Sequence, residues 1–137
     1  MQLYHLSFVE PLNTNILTPR IPHNIINGYE DDITKRICFS TSIDGALSAL
    51  QGDKGIYYVY IPKNIELLDI HYPTEEEVFD AKVNDEIWVL DPTEVIYIGC
   101  IENRGVTKMT KYTIDREPYN FHYRECDWIW LERVKSM

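Results

Sequence analysis

The tightest constraint on this chain is a series of short, strongly strand-forming runs, each ended by a sharp local stop. Gly55–Ile61 reads GIYYVYI and runs into Pro62. β-Branched and aromatic residues fit a pleated, buried surface, and proline cannot continue a ladder. Arg36–Ser40 (RICFS) is a second such run, Glu86–Leu90 (EIWVL) a third and Glu94–Ile101 (EVIYIGCI) a fourth. The last two are separated only by Asp91-Pro92-Thr93, turn chemistry that suggests a hairpin-like corner. Gln2–Phe8 reads as a short opening strand ended by Pro11.

Helical signals are fewer and weaker. After Arg36–Ser40, Ser42 is a natural N-cap, and Ile43, Ala46, Leu47 and Leu50 recur at helical spacing. Gly52 is placed to end that helix at C′. Thr74 with Glu77 three residues later forms a capping box over Thr74–Phe79, where Glu75, Glu76 and Glu77 suit a first helical turn rather than a paired-carboxylate site. Leu12–Ile33 carries Pro19, Pro22, Asn24, Asn27 and Gly28 and reads as a long loop, which in a compact domain is often functional. Many short strands with two or three small helices predict an α+β fold with mixed or antiparallel sheets. The 137 residues suit one domain, 1–137, with 103–137 a less certain C-terminal extension. Within that extension, Lys108–Ile114 reads as an edge strand. Tyr119–Tyr123 and Asp127–Val134 alternate aromatic and polar residues, which suits a sheet face better than a base-stacking platform.

Charge narrows the partners. The net charge is −9, and Asn64–Glu102 holds eleven acids and one base, whereas Asn103–Met137 holds seven bases and five acids. An acidic middle repels nucleic-acid phosphates, so no nucleic-acid partner is expected; solubility is the plain reading of the acidity, and a surface aimed at a basic partner the sharper one. No apolar run approaches the about 20 residues that span a bilayer, and Met1–Glu10 lacks the pattern of a signal peptide, so a cytoplasmic location without membrane contact is expected. Cys38, Cys100 and Cys126 are odd in number and widely spaced, which suits buried reduced thiols. His23, His71 and His122 are scattered, and no ligand spacing suggests a metal.

Three segments, in order, resemble one family. They are Leu3-Tyr4-His5, then Arg36-Ile37-Cys38-Phe39-Ser40-Thr41-Ser42 with the alanine-bearing helix after it, then Asn84-Asp85-Glu86-Ile87-Trp88-Val89-Leu90 with the strand that follows. Together they are similar to ADP-ribosyltransferases of the diphtheria-toxin and poly(ADP-ribose)-polymerase type. The resemblance covers about Gln2–Ile101 and leaves Asn103–Met137 unexplained. It implies an ADP-ribosyltransferase-like fold and NAD as substrate. It also implies that His5 holds the nicotinamide ribose and that Glu86 bonds a ribose hydroxyl and faces the positive charge that develops as nicotinamide leaves. Strand alternation allows only one of Asp85 and Glu86 to enter the cleft.

The family's stacking tyrosine is replaced here by Cys38, which cannot stack, with Phe39 beside it. Those two residues, the Ser40–Thr41–Ser42 turn and Arg20 complete the set expected near the nucleotide. Each has a plainer alternative: core packing for Cys38 and Phe39, capping for the hydroxyls, and a solvated base for Arg20. The functions that follow are transfer of ADP-ribose from NAD to a protein or small-molecule acceptor, or NAD hydrolysis. The alternatives are a non-catalytic module binding a nucleotide or protein with the same cleft, and an acidic inhibitor or interaction protein of bacterial, phage or mobile-element type.

Overall fold

The computed structural model describes residues 1–9, 15–22, 33–74, 77, 84–113 and 120–134, the backbone alone at 112, 113 and 120–122. In chain order the elements are β1 (His5–Ser7), β2 (Ile16–Leu17), β3 (Ile37–Ser40), α1 (Ile43–Ala49), β4 (Gly55–Pro62), a 3₁₀ turn (Ile65–Leu67), β5 (Ile70–His71), β6 (Glu86–Val89), β7 (Thr93–Thr113) and β8 (Asn120–Arg133). The class is α+β, and among the described residues it is built mostly from antiparallel sheet with α1 as its one complete α-helix. One sheet runs β1-β4-β7-β2, with β8 also on β7; the other runs β3-β6-β5. No helix among the described residues is long and apolar enough to cross a membrane.

β4 explains why GIYYVYI is apolar on every residue. Tyr57 and Val59 enter one core cluster with Ile43, Leu47 and Ile101. Tyr60 enters another with Leu3, Ile37, Phe39, Ile87, Val89 and Val95, and Tyr58 packs against it. A strand covered on both faces has no polar side to alternate with. β7 crosses between the same clusters. Val95 belongs to one and Ile101 to the other, although both are odd-numbered. The switch comes from a bulge: Val59 pairs with Gly99 and Tyr60 with Tyr97, so Ile98 is an extra residue and inverts the alternation.

Two sequence expectations are corrected. β6 and β7 do not pair across Asp91-Pro92-Thr93. They lie in different sheets, and the corner carries the chain from one to the other, held by the Thr93 hydroxyl donating to the Asp91 carbonyl at 2.9 Å. Turn chemistry fixes a change of direction but not the partner of the next strand. Gly52 is likewise not C′ of α1. That position is Gln51, at φ 66°, and Gly52 follows it at the same φ. Gln51 N–H reaches the Ser48 carbonyl at 3.0 Å and Gly52 N–H the Leu47 carbonyl at 2.8 Å, a Schellman closure. The Ser42 cap forms as read, its hydroxyl accepting from Gly45 N–H at 2.9 Å.

Thr74 and Glu77 exchange the reciprocal bonds of a capping box: the Thr74 N–H donates to the Glu77 carboxylate at 3.0 Å, and the Glu77 N–H donates to the Thr74 hydroxyl at 3.3 Å. The rest of the short helix expected over Thr74–Phe79 lies outside the described residues. Of the Leu12–Ile33 loop, Ile16–Leu17 is a strand on β7.

The extension that the sequence left open is the largest feature of the fold. β7 runs unbroken from Thr93 to Thr113, and β8 returns along it. Lys108 is therefore paired within a long hairpin. Trp128 and Trp130 pack on the cluster beneath α1. The Trp128 indole donates to Asp44 at 2.9 Å, and Arg124 N–H donates to the Ser48 hydroxyl at 3.0 Å.

Asn103 ties the hairpin to the exit of α1. Its side chain is buried and donates to the Gly52 and Asp53 carbonyls at 3.1 and 2.9 Å, while its oxygen accepts from Gly105 N–H at 3.2 Å. Asn103→Ala leaves these three backbone groups without that partner. We expect a loss of about 3 kcal/mol, a fall of roughly 10 °C in Tm, against almost no change for the exposed Lys63→Ala control; thermal unfolding by circular dichroism checks both.

Candidate active site

β1 sits where the two sheets meet. It pairs with β4 from His5 to Ser7, but one residue earlier Tyr4 forms an antiparallel bridge to Ser40 of β3, with bonds of 2.8 and 2.9 Å. Beyond that bridge β1 leaves β3. The Cys38 carbonyl is met instead by the His5 ring, whose Nδ1 lies 2.8 Å away. A carbonyl only accepts, so Nδ1 carries the proton. Burial pushes the His5 pKa below its usual value. The bond to Cys38 works against that shift, and the nearby positive charge of Arg20 adds to it. The ring is thus neutral at physiological pH, and its Nε2 is an acceptor.

On the far edge of β3, Ser40 pairs with Glu86 and Cys38 with Trp88 of β6. By alternation Arg36, Cys38, Ser40, Glu86 and Trp88 share one face of this sheet, and Ile37, Phe39, Ile87 and Val89 fill the core on the other. The Trp88 indole donates to Glu86 Oε2 at 3.0 Å. The Arg36 guanidinium lies 4.1 Å from the Trp88 ring centroid, and the His71 ring 5.5 Å from it. Burial pushes the Glu86 carboxyl above the ordinary range; the Trp88 hydrogen bond and the Arg36 charge pull it back only in part. Asp85, at φ 53°, is exposed. Of the two neighbouring carboxylates, Glu86 is therefore the one set into the fold.

The predicted residues divide into three groups. Cys38, Ser40 and Glu86 share one face of the β3–β6 sheet, whereas the His5 ring reaches only the Cys38 backbone carbonyl and packs against Phe39 and Tyr60 on the opposite, core side. Arg20 joins them through paired backbone bonds to Arg36 of 3.0 and 2.9 Å and through its charge on His5. Phe39 is a core residue, 2% exposed, and meets the site only by an edge contact with the His5 ring, centroids 5.8 Å apart. Ser40 is buried too, and its hydroxyl donates to the Asn84 carbonyl at 2.8 Å. Thr41 and Ser42 line a different space, on the α1 and β8 side. Gly45 sets the spacing here: a Cβ would lie 2.6 Å from both the Asn84 oxygen and Ser40 Oγ, so α1 can press on the segment leading to Glu86 only with glycine there.

The ring that Cys38 lacks is not restored by Tyr57, which is fully buried in the other cluster, and Tyr29 lies outside the described residues. Trp88 is directly opposite Cys38 but is fully covered, so it offers no open face. Arg36, His71 and Trp88 were missed as site residues. Cross-strand pairing brings Arg36 and His71 to Trp88, whereas the alternation of EIWVL is enough to put Trp88 on the Glu86 face. Among the described residues, no group of three or more His, Cys, Asp or Glu side chains is arranged to hold a metal ion. Comparison of the chain with protein-family models, curated proteins and solved structures gives no match.

The raised Glu86 pKa has a stability consequence of definite sign. The folded state binds this proton more tightly than the unfolded state does. The carboxylate therefore costs stability once the pH passes the unfolded value of about 4.3, and the cost is complete above the folded pKa. The amide introduced by Glu86→Gln keeps an acceptor for the Trp88 indole without the charge. That variant should unfold at a higher temperature than wild type at pH 7.5, with the difference closing as the pH falls to about 4. A constant difference across that range would contradict the assignment.

Proposed function

We propose that this chain is an NAD-dependent ADP-ribosyltransferase-like protein on an ADP-ribosyltransferase-like fold. It would cleave the nicotinamide–ribose bond and pass ADP-ribose to a protein, a small molecule or water. The observation that carries the reading is the order of residues across three neighbouring strands. Tyr4 next to His5, Ser40 and Glu86 stand side by side in register, with His5 filling the gap where β1 leaves β3. The resemblance assigns the ribose-binding histidine to His5 and the glutamate to Glu86, and this arrangement supports that reading.

Each residue has a chemical task in this reading. The neutral His5 ring accepts a hydrogen bond from a ribose hydroxyl through Nε2. Glu86, held by Trp88 through one oxygen, offers the other to a ribose hydroxyl and to the oxocarbenium-like charge at the anomeric carbon. Burial strengthens that attraction, because little water screens it. The Arg36 charge next to Glu86 favours its ionised form. Cys38 and the covered Trp88 supply no stacking wall for nicotinamide. That specific feature favours a second reading, a module that binds a nucleotide or a protein without turnover.

Nicotinamide release from NAD by the purified chain is the test. Under the catalytic reading, Glu86→Gln lowers kcat/KM by at least about 100-fold, the scale seen when an aimed electrostatic contact is removed. The acid limb of the wild-type pH profile should also lie above the ordinary glutamate range, because the ionised form is the active one. If neither the chain alone nor the chain with a cell lysate releases nicotinamide, while NAD still binds, the second reading stands.

A further inference from the structure

We propose that the open groove between α1 and the end of β8 is a separate binding site for a nucleoside 5′-monophosphate. It measures about 300 Å³ and is walled by Tyr4, Trp128 and Trp130, with Thr41, Asp44 and Arg133 among its polar lining. Trp128 and Trp130 meet edge to face, centroids 5.9 Å apart and planes at 78°. The two indoles thus present surfaces in different directions, one of which can take a flat ring.

The polar groups fall into spent and unspent. Asp44 is held by the Trp128 indole at 2.9 Å and Ser42 by Gly45 N–H at 2.9 Å. Among the described residues no carboxylate pairs with Arg133, and no hydrogen bond holds the hydroxyls of Thr41 or Tyr4. The Arg133 guanidinium stacks near Trp130, 5.0 Å from its centroid. Three aromatic side chains alone would suit a cationic ligand, but Arg133 already supplies the cation beside Trp130, and one Asp44 oxygen is taken by the Trp128 indole of the same groove. What remains among the described residues is aromatic surface beside a guanidinium with no carboxylate partner and two hydroxyls, the complement of a base, a phosphate and ribose oxygens. The volume is at the lower end for small-molecule sites, which suits one nucleotide and not a dinucleotide.

Neither His5 nor Glu86 lines the groove. Tyr4 and His5 are consecutive on one strand and point to opposite sides. Tyr4 packs with the cluster beneath α1, and the His5 ring touches Phe39 and Tyr60 of the other cluster. A ligand in the groove therefore lies across β1 from His5. The inference does not depend on NAD cleavage.

Tryptophan fluorescence tests it, because two of the three tryptophans line the groove and Trp88 is buried. The full chain is titrated with adenosine 5′-monophosphate, adenosine, inorganic phosphate and NAD. We expect saturable quenching by the monophosphate, binding of adenosine weaker by about tenfold, and no response to phosphate; one charge-assisted contact accounts for the tenfold. Arg133→Gln should remove the preference for monophosphate over adenosine while leaving nicotinamide release unchanged. Trp130→Leu should abolish the quenching; its fold is checked by circular dichroism, and Arg133→Gln serves alone if it unfolds. His5→Ala and Glu86→Gln should bind the monophosphate as wild type does. The proposal is overturned if quenching does not saturate, if Arg133→Gln keeps the preference, or if NAD displaces the monophosphate in wild type but not in His5→Ala, which would place the nucleotide in the cleft.

Discussion

The departure of β1 from β3 after a single paired bridge is the constraint on which the rest of the structure depends. Backbone donors and acceptors withdrawn from water must be matched, and a strand that leaves its neighbour strands a carbonyl. Here the stranded carbonyl belongs to Cys38, and the His5 ring supplies the missing donor. One side chain thus does what the next ladder bond would have done. This fixes the tautomer of the histidine and places its other nitrogen at the junction of two sheets. The same departure lets β1 pair with β4, so that a single short strand belongs to one sheet by its ladder and to the other by one bridge.

That junction also separates the two cores. Leu3 enters the cluster between the sheets, and Tyr4 and Leu6 face the cluster under α1. Most of β4 and the Val95–Ile101 part of β7 contribute to both cores for this reason, and the bulge at Ile98 lets one strand present apolar residues to each. The long β7–β8 hairpin then closes the second core. It is held on α1 through polar anchors, Asn103 at the helix exit, Ser48 midway and Asp44 at the first turn, which fix position where apolar packing alone would allow sliding.

The strand runs were legible because their alternation and their stops are local. In the tail the pieces Lys108–Ile114, Tyr119–Tyr123 and Asp127–Val134 read as strand or sheet face, but their union into one long hairpin was not legible, and the reason is physical. Register shifts between Cys100 and Ile101, between Asn103 and Val106 and between Val106 and Lys108 break the period of two just where a long strand would have to be recognised. Positive φ at Gly99 and Gly105 belongs to the same irregularity. At the site, His5, Cys38, Ser40 and Glu86 could be picked out by residue type and order. Their surroundings could not, because Trp88 reaches Glu86 by strand alternation, while Arg36 and His71 reach Trp88 only through pairing with segments distant in sequence. The corner at Asp91-Pro92-Thr93 makes the same point: a turn can be read locally, but the sheet that the next strand joins depends on everything packed around it.

The electrostatics of the junction follow from burial acting in opposite directions on two kinds of group. It lowers the pKa of His5 and raises that of Glu86, so each is pushed towards its neutral form. The two shifts overlap to leave, above the raised pKa of Glu86, a negative charge on Glu86, an uncharged acceptor on the histidine and the guanidinium groups of Arg36 beside Glu86 and Arg20 near His5. Such a site attracts a positive charge more strongly than a neutral group, since little water screens the ionised carboxylate. Arg36 limits that advantage. Every increment by which it favours the ionised Glu86 also neutralises part of the field a substrate would feel, and Trp88, lying against Arg36 and donating to Glu86, fixes how large that share is.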